Sequence, residues 1–448
     1  MWCVSATFFL LTLGKFGSMS HTSLFIFIEI FYVKLNLLFF MKQFKLQNGM
    51  SVAYDELSQM KSVCLGVGVG HVNEPKLGIA NLFEKMVLMQ VKSVMPVFGG
   101  TMTAYTTGGS DIKSMIDNLS SIFDAKLTDE YLEMAKQAIV QQTKDTAPLT
   151  MRKMKLLYKH TAFGADLVRT TEEYLDAINS YTIEDVCEFA ETYYATSNLV
   201  LIVVGCGVDE DIITKWAEKA FSGIFEEGCK CESLANIYTG GFGRMDVEDN
   251  ITRLMFGWDL KHLSISDSPR INVMMSMFLR RLERAYSDAG YDDVYVELKV
   301  AGYYGLRTMR VFITSHKVSP VELTSIFVAA LNRICDTEAN ISRMEKSRNA
   351  AMVEKLDKYE KSDDKALEIA WQMIGRGSMY DTSNRINSIY ETSAHDVKVA
   401  SRDVFRGSRP TYIVAVKADA EVVSYQSLLE QIGIEHLLKE GDKVPVKF

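Results

Sequence analysis

The chain has 448 residues, 48% of them hydrophobic and 24% charged, with a formal net charge of -8. That is ordinary globular usage with length for more than one domain. The acidic balance and the lack of any basic block exclude nucleic acid or an anionic membrane surface as the main partner, because phosphate neutralisation needs clustered Lys and Arg.

Residues 1–40 hold two apolar stretches, "MWCVSATFFLLTLG" and "LFIFIEIFYVKLNLLFF". Each is shorter than a full membrane span, and the second carries Glu29 and Lys34. With no clear basic n-region or cleavage site, 1–40 is expected to be an upstream extension outside the fold, and a membrane role is not expected. From Met41 onward, "FKLQNGMSVAYDE" predicts a hairpin turning at Asn48-Gly49. "SVCLGVGVG" (62–70) predicts a buried strand, followed by a helix from Gly78, a strand at "TMTAYTT", and helices over 111–123 and 128–144. Thr128 and Asp129 are candidate caps of the last helix. Pro148 predicts a break before the next one.

Two stretches repeat one order of turn, helix, short loop and buried strand: "YTIEDVCEFAETYYATSNLVLIVVG" (181–205) and "TSAHDVKVASRDVFRGSRPTYIVAV" (392–416). Asp185-Val186 answers Asp396-Val397, Tyr194 answers Phe405, and an acidic turn and a helix follow both. The repetition predicts two similar α+β domains, 41–225 and 246–448, joined by a linker over 226–245. The seven Cys are scattered, and Cys229 and Cys231 are too close and too isolated to be half of a standard zinc site. The odd count fits reduced thiols and a cytoplasmic location.

The helix "GIANLFEKM" (78–86) places Ile79, Leu82, Phe83 and Met86 on one face and Asn81, Glu84 and Lys85 on the other. Taken alone, this is an amphipathic helix with a solvated polar face. None of the seven His is spaced from another as helix ligands would be, and His71, just ahead of the helix, reads as a solvated loop residue.

The whole opening, from "LQNGMSVAYDE" to "GIANLFEKM", resembles the insulinase, pitrilysin and mitochondrial processing peptidase family of inverted-motif zinc peptidases. That family has Leu-x-Asn-Gly, a Ser-Val strand, an acidic turn and Gly-Leu-Ala-His-x-x-Glu-His-Met. The resemblance implies two homologous domains, each a mostly antiparallel sheet packed with helices, facing each other across a peptide-binding cleft. It also implies that Asn81 and Lys85 stand where the zinc-binding His residues would be, and that Glu84 occupies the position of the general base. The third ligand, a Glu on a later helix, is answered in "AIVQQTKD" by Gln142, or by Gln141 in the neighbouring register. The family also carries an Arg and a Tyr in its second half that reach the substrate. "FLRRLERAYSDAGYDDVYVEL" supplies Arg284 and Tyr291 at the matching spacing, with Tyr286 as a competing register. Arg can hold a carbonyl or carboxylate, and Tyr can stabilise an oxyanion.

The implied function is a non-catalytic subunit of a heterodimeric zinc peptidase. It would bind no metal or cofactor itself, contribute Arg284 and Tyr291 to peptide binding, and pair with a zinc-bearing homologous subunit, a homodimer being the other assembly. The alternative is a structural or peptide-binding protein with no part in proteolysis, like the core subunits of respiratory complexes. An independent enzyme built around Glu84 and Lys85 is the weakest reading, since a carboxylate beside an ammonium on a helix is usually a surface pair.

Overall fold

The computed structural model describes residues 41–447 except 57, 146–148, 165–168, 230–237, 261–266, 304–305, 378–381 and 440–445, so the 1–40 segment and the turn at Pro148 lie outside the described residues. The fold is α+β: two mixed, mostly antiparallel sheets with helices packed on both faces. In chain order the strands are β1 (Met41–Lys45), β2 (Ser51–Asp55), β3 (Ser62–Val67), β4 (Met95–Phe98), β5 (Thr103–Gly108), β6 (Leu199–Val204), β7 (Gly241–Asp246), β8 (Thr252–Asp259), β9 (Tyr295–Tyr303), β10 (Leu306–Ser315), β11 (Thr411–Val416) and β12 (Val446–Lys447). The helices used below are α1 (Ile79–Leu88), α2 (Ile112–Ser120), α3 (Asp129–Asp145), α4 (Leu149–Phe163), α5 (Thr171–Ser180), α6 (Ile183–Tyr193), α7 (Glu210–Ala220), α8 (Ser268–Asp288), α9 (Pro320–Asp336), α10 (Ile341–Glu360), α11 (Ser362–Arg376), α12 (Thr382–Glu391), α13 (Ala394–Arg406) and α14 (Tyr425–Ile432).

The first sheet runs β1-β2-β6-β3-β5-β4 and the second β12-β7-β11-β8-β10-β9. Their inner strands correspond: β2 lies parallel to β6 as β7 does to β11, while β6-β3-β5 and β11-β8-β10 are antiparallel. The sequence echo has a local cause. Thr182 and Asp185 form a capping box at the start of α6, and Ser393 and Asp396 form its counterpart at α13. Each box satisfies two backbone N–H groups that the first turn would otherwise leave open.

The central strands are buried on both faces and so read as unbroken apolar runs. In the first sheet Val52, Tyr54, Leu65, Leu201 and Val203 face one core, while Ala53, Cys64, Ile202 and Val204 face another made with Ala366, Ile369, Ala370 and Met373 of α11. In the second sheet Phe256, Trp258, Tyr412 and Val414 face the larger core, and Met255, Ile413 and Ala415 face Met154, Leu157 and Tyr158 of α4.

The compact units are therefore discontinuous in sequence. One takes residues up to Lys144 with 171–233 and 353–385, and the other takes 145–170, 234–352 and 386–448. This differs from contiguous domains at 41–225 and 246–448, because each sheet needs a second apolar cover and receives it from a helix encoded in the other half. In the first unit, Lys365 of α11 pairs with Asp55 at the end of β2, and both side chains are buried. In the second, α4 lies so close to the sheet that a Cβ on Gly257 would fall 2.2 Å from the Tyr158 hydroxyl, and one on Gly243 would fall 2.9 Å from Thr161 Oγ1 and 3.0 Å from Leu157 Cγ.

That contact corrects the reading of 226–245 as linker. Its last residues, Gly241–Met245, belong to β7, and Gly243 is there to admit a helix. The sequence reading also missed the edge strand β4, whose Met95 is 68% exposed and lacks the apolar pattern of a core strand. The expected helix over 111–123 becomes 3-10 after Ser120. Among the described residues no helix is long and apolar enough to cross a membrane.

Candidate functional site

The hairpin into the first unit forms as expected: Gly49 has φ 81°, and Asn48 accepts a hydrogen bond from Met50 N at 3.2 Å. β3 then leads through a tight loop, where Asn73 accepts from Gly70 N at 2.7 Å and donates to Gly68 O at 3.2 Å. His71 is exposed, and its ring nitrogen lies 2.8 Å from Gly99 O.

The start of α1 is held by Glu74, whose carboxylate accepts from Gly78 N at 2.6 Å and from Ala80 N at 3.0 Å. Burial pushes this carboxyl up to about 7, against the two N–H groups that favour its charge. Gly78 has φ 81° and lies under α5, where a Cβ would come within 2.7 Å of Tyr174 and 2.8 Å of Ile178. Glycine is required there on both counts.

α5 closes over Asn81 as well. The Asn81 amide donates to the Tyr174 hydroxyl at 2.7 Å, and burial raises the Tyr174 phenol. Tyr174 was not singled out from sequence, since nothing in "TEEYLDAINS" marks it as a partner of a residue 93 positions away. The polar face of α1 is also not solvated. Glu84 is only 3% exposed, and Asn81 and Lys85 are half-buried.

Glu84 Oε2 is buried with no hydrogen-bond partner among the described residues, and burial raises its carboxyl to about 7, with Lys85 pulling the other way. Its charge also reaches the buried Tyr105–Tyr194 pair, whose hydroxyls are 2.8 Å apart. The Phe83 ring lies 4.4 Å from that of Tyr194. Gln141 and Gln142 are exposed on α3, beyond its buried stripe of Leu132, Ala135 and Ile139.

As a donor set, these residues do not fit zinc. The Asn81 amide nitrogen is engaged by Tyr174, Lys85 brings an ammonium with no lone pair, Gln142 brings a neutral amide, and Glu84 alone offers a carboxylate. Among the described residues no group of three His, Cys, Asp or Glu side chains could hold a metal ion. What α1 offers is a buried carboxyl that changes charge near neutrality in an aromatic pocket.

Arg284 and Tyr291 lie in the second unit, at the end of α8. Gly290 has φ 84°, and Tyr291 N donates to Tyr286 O at 3.0 Å, which closes the helix in a Schellman-type turn. The Gly-Tyr pair is thus the stop signal of this helix. The half-buried Tyr291 donates its hydroxyl to Glu322 at 3.1 Å, and that bond raises its phenol. The Arg284 side chain is 77% exposed and lies 3.7 Å from Asp288. Tyr286 is buried and donates to Leu323 O at 2.8 Å, which leaves Tyr291 as the tyrosine that solvent reaches.

Residues 180–351 match the Peptidase M16 inactive domain. No curated protein matches the sequence. Among solved structures, a chain of Complex III2 from Candida albicans, Inz-5 bound, superposes with a TM-score of 0.75 at 15% identity, covering 87% of this chain and 99% of that one. The M16-like peptidase from Alicyclobacillus acidocaldarius gives 0.70 at 18% identity, covering 85% and 99%. The periplasmic protease PqqL from Escherichia coli gives 0.70 at 12% identity, covering 89% of this chain and 50% of that one. At these identities the likeness establishes the fold.

Proposed function

We propose that the chain is a non-catalytic member of the M16 peptidase family that binds peptide together with a zinc-bearing homologous chain, a reading supported by the match of residues 180–351 to the Peptidase M16 inactive domain. The observation that carries this reading is α1. It keeps the frame of the family helix and buries Glu84, yet presents Asn81 against Tyr174 and Lys85 in place of imidazoles. A carboxyl with no metal-activated water beside it has no hydrolytic partner. No hydrolytic step is assigned to this chain, and the partner would bring both the metal and its base.

In this reading Arg284 and Tyr291 supply the peptide contacts. The guanidinium is exposed and only loosely paired, and the Tyr hydroxyl is held by Glu322, which fixes its position. The likeness to a chain of Complex III2 supports the second reading, an assembly subunit without any role in proteolysis. The two separate in one experiment: purification of the chain from its native cell, with mass spectrometry for a companion bearing His-x-x-Glu-His. An equimolar companion whose peptidase activity falls with Arg284→Ala and Tyr291→Phe supports the divided peptidase. Activity unaffected by both, or unrelated companions only, supports the assembly role.

A further inference from the structure

We infer, on the reading that Tyr291 meets peptide, that its hydroxyl accepts a hydrogen bond from a peptide N–H, and that Glu322 is the positioning residue that imposes this direction. A phenol has one proton to donate. In Tyr291 that proton goes to Glu322 Oε1, at 3.1 Å, and an ionised carboxylate can only accept. What the hydroxyl still offers a ligand is a lone pair.

The pair is held on both sides. Glu322 lies in the first turn of α9, where it forms a capping box with Ser319: Ser319 Oγ donates to Glu322 Oε2 at 2.8 Å, and Glu322 N donates to Ser319 Oγ at 3.2 Å. That leaves Oε1 to face Tyr291. Just before Tyr291, the buried Tyr286 donates to Leu323 O at 2.8 Å, so the two tyrosines bond to consecutive residues of α9. Tyr286 and Leu323 belong to the larger core of the second unit, and Tyr291 packs against it. The hydroxyl is therefore fixed by its neighbours, unlike that of a loose surface side chain.

Charge favours the same direction. The hydrogen bonds from Ser319, then Tyr291, hold the Glu322 carboxyl below its usual range, and the bond to Glu322 raises the Tyr291 phenol. A carbonyl or oxyanion brought to Tyr291 would have to take the proton from Glu322 and would stand beside its negative charge. A peptide N–H meets neither obstacle. Arg284 is the opposite case, since a guanidinium has donors and no acceptor. Each non-Pro residue of a peptide carries one N–H and one C=O, so the two side chains suit different halves of the backbone. Proline, which lacks the N–H, is disfavoured at the position facing Tyr291.

The test is fluorescence anisotropy of the full chain, with its companion where one co-purifies. The probes are pools of fluorescein-labelled nonapeptides, randomised in sequence and N-methylated at one backbone position per pool. At one position N-methylation is expected to weaken wild-type binding about fivefold to tenfold more than it weakens Tyr291→Phe, the size of one net hydrogen bond. Glu322→Gln keeps a residue that capping boxes accept, and its amide can donate to the phenol oxygen, which frees the tyrosine proton for the ligand. The N-methyl penalty at that position is expected to shrink in this variant. A penalty as large as in wild type overturns the role of Glu322. If Tyr291→Phe weakens all pools alike, the hydroxyl donates to a carbonyl, and the inference falls while peptide binding by Tyr291 stands. If Tyr291→Phe changes no pool, or no pool binds, the inference and the reading beneath it fall together.

Discussion

The helices α1 and α8 occupy the same place in the two units, each following the second strand of its inner set, yet they treat charge in opposite ways. α1 is short, starts on the half-buried carboxylate of Glu74 and buries a second carboxyl at Glu84. α8 runs 21 residues and carries Arg280, Arg281 and Arg284 outside the core, with Arg280 and Arg284 exposed. Apolar spacing and caps hold the frame, which both units share. The chemistry rests on a few polar positions that the frame leaves open, and there the two have diverged.

Breaking the frame should have the largest effects, and changing the open positions the smallest. Lys365→Ala removes the ammonium paired with the buried Asp55 and should cost about 3–5 kcal/mol in urea unfolding. In the second unit the helix-to-sheet contact depends on space, so Gly257→Ala, which forces Tyr158 to move, should cost about 1–3 kcal/mol. Equal effects of ion-pair loss and crowding would show that the two covers are held in the same way.

The pH response should come from the first unit. Glu74 and Glu84 have carboxyls raised from 4.5 to about 7. A raised folded-state value means that the folded form holds its proton more tightly, so the stabilisation is complete below 4.5 and is lost as pH climbs to about 7. The urea midpoint should fall across that window, and Glu74→Gln should flatten the fall. A midpoint rising there would contradict the burial account.

Thr182→Ala and Ser393→Ala remove equivalent caps and should each cost about 1 kcal/mol, a direct test of the duplication. Arg284→Ala should change stability by less than about 0.5 kcal/mol, since the side chain is exposed and weakly paired. A larger loss would make it a structural residue and weaken its assignment to peptide binding.

Much of the frame was legible in the sequence because its causes are local. Asn48-Gly49 dictates the hairpin, the capping boxes mark α6 and α13, and continuous apolar runs mark β3, β6 and β11. The exchange of α4 and α11 between sheets was not legible, because Gly243 and Gly257 look the same whether they serve a loop or a close helix. The positions Asn81, Glu84 and Lys85 could be found from the family resemblance of the stretch around them, since their spacing alone reads as an ordinary amphipathic helix. Their environment could not, because the burial of Glu84 and the Tyr174 bond depend on side chains distant in sequence. Gly290 and Tyr291 illustrate the remaining difficulty: a pair read for its chemistry also ends a helix, and the turn alone accounts for the glycine.

In the proposed function the hydrolytic chemistry belongs to a partner and not to this chain. The most direct test is to equilibrate the purified chain with zinc, remove the excess, and measure bound metal alongside hydrolysis of a peptide library, with Glu84→Gln as control. The account predicts no stoichiometric zinc and no hydrolysis above the Glu84→Gln control. One zinc per chain with hydrolysis that disappears in Glu84→Gln would contradict it.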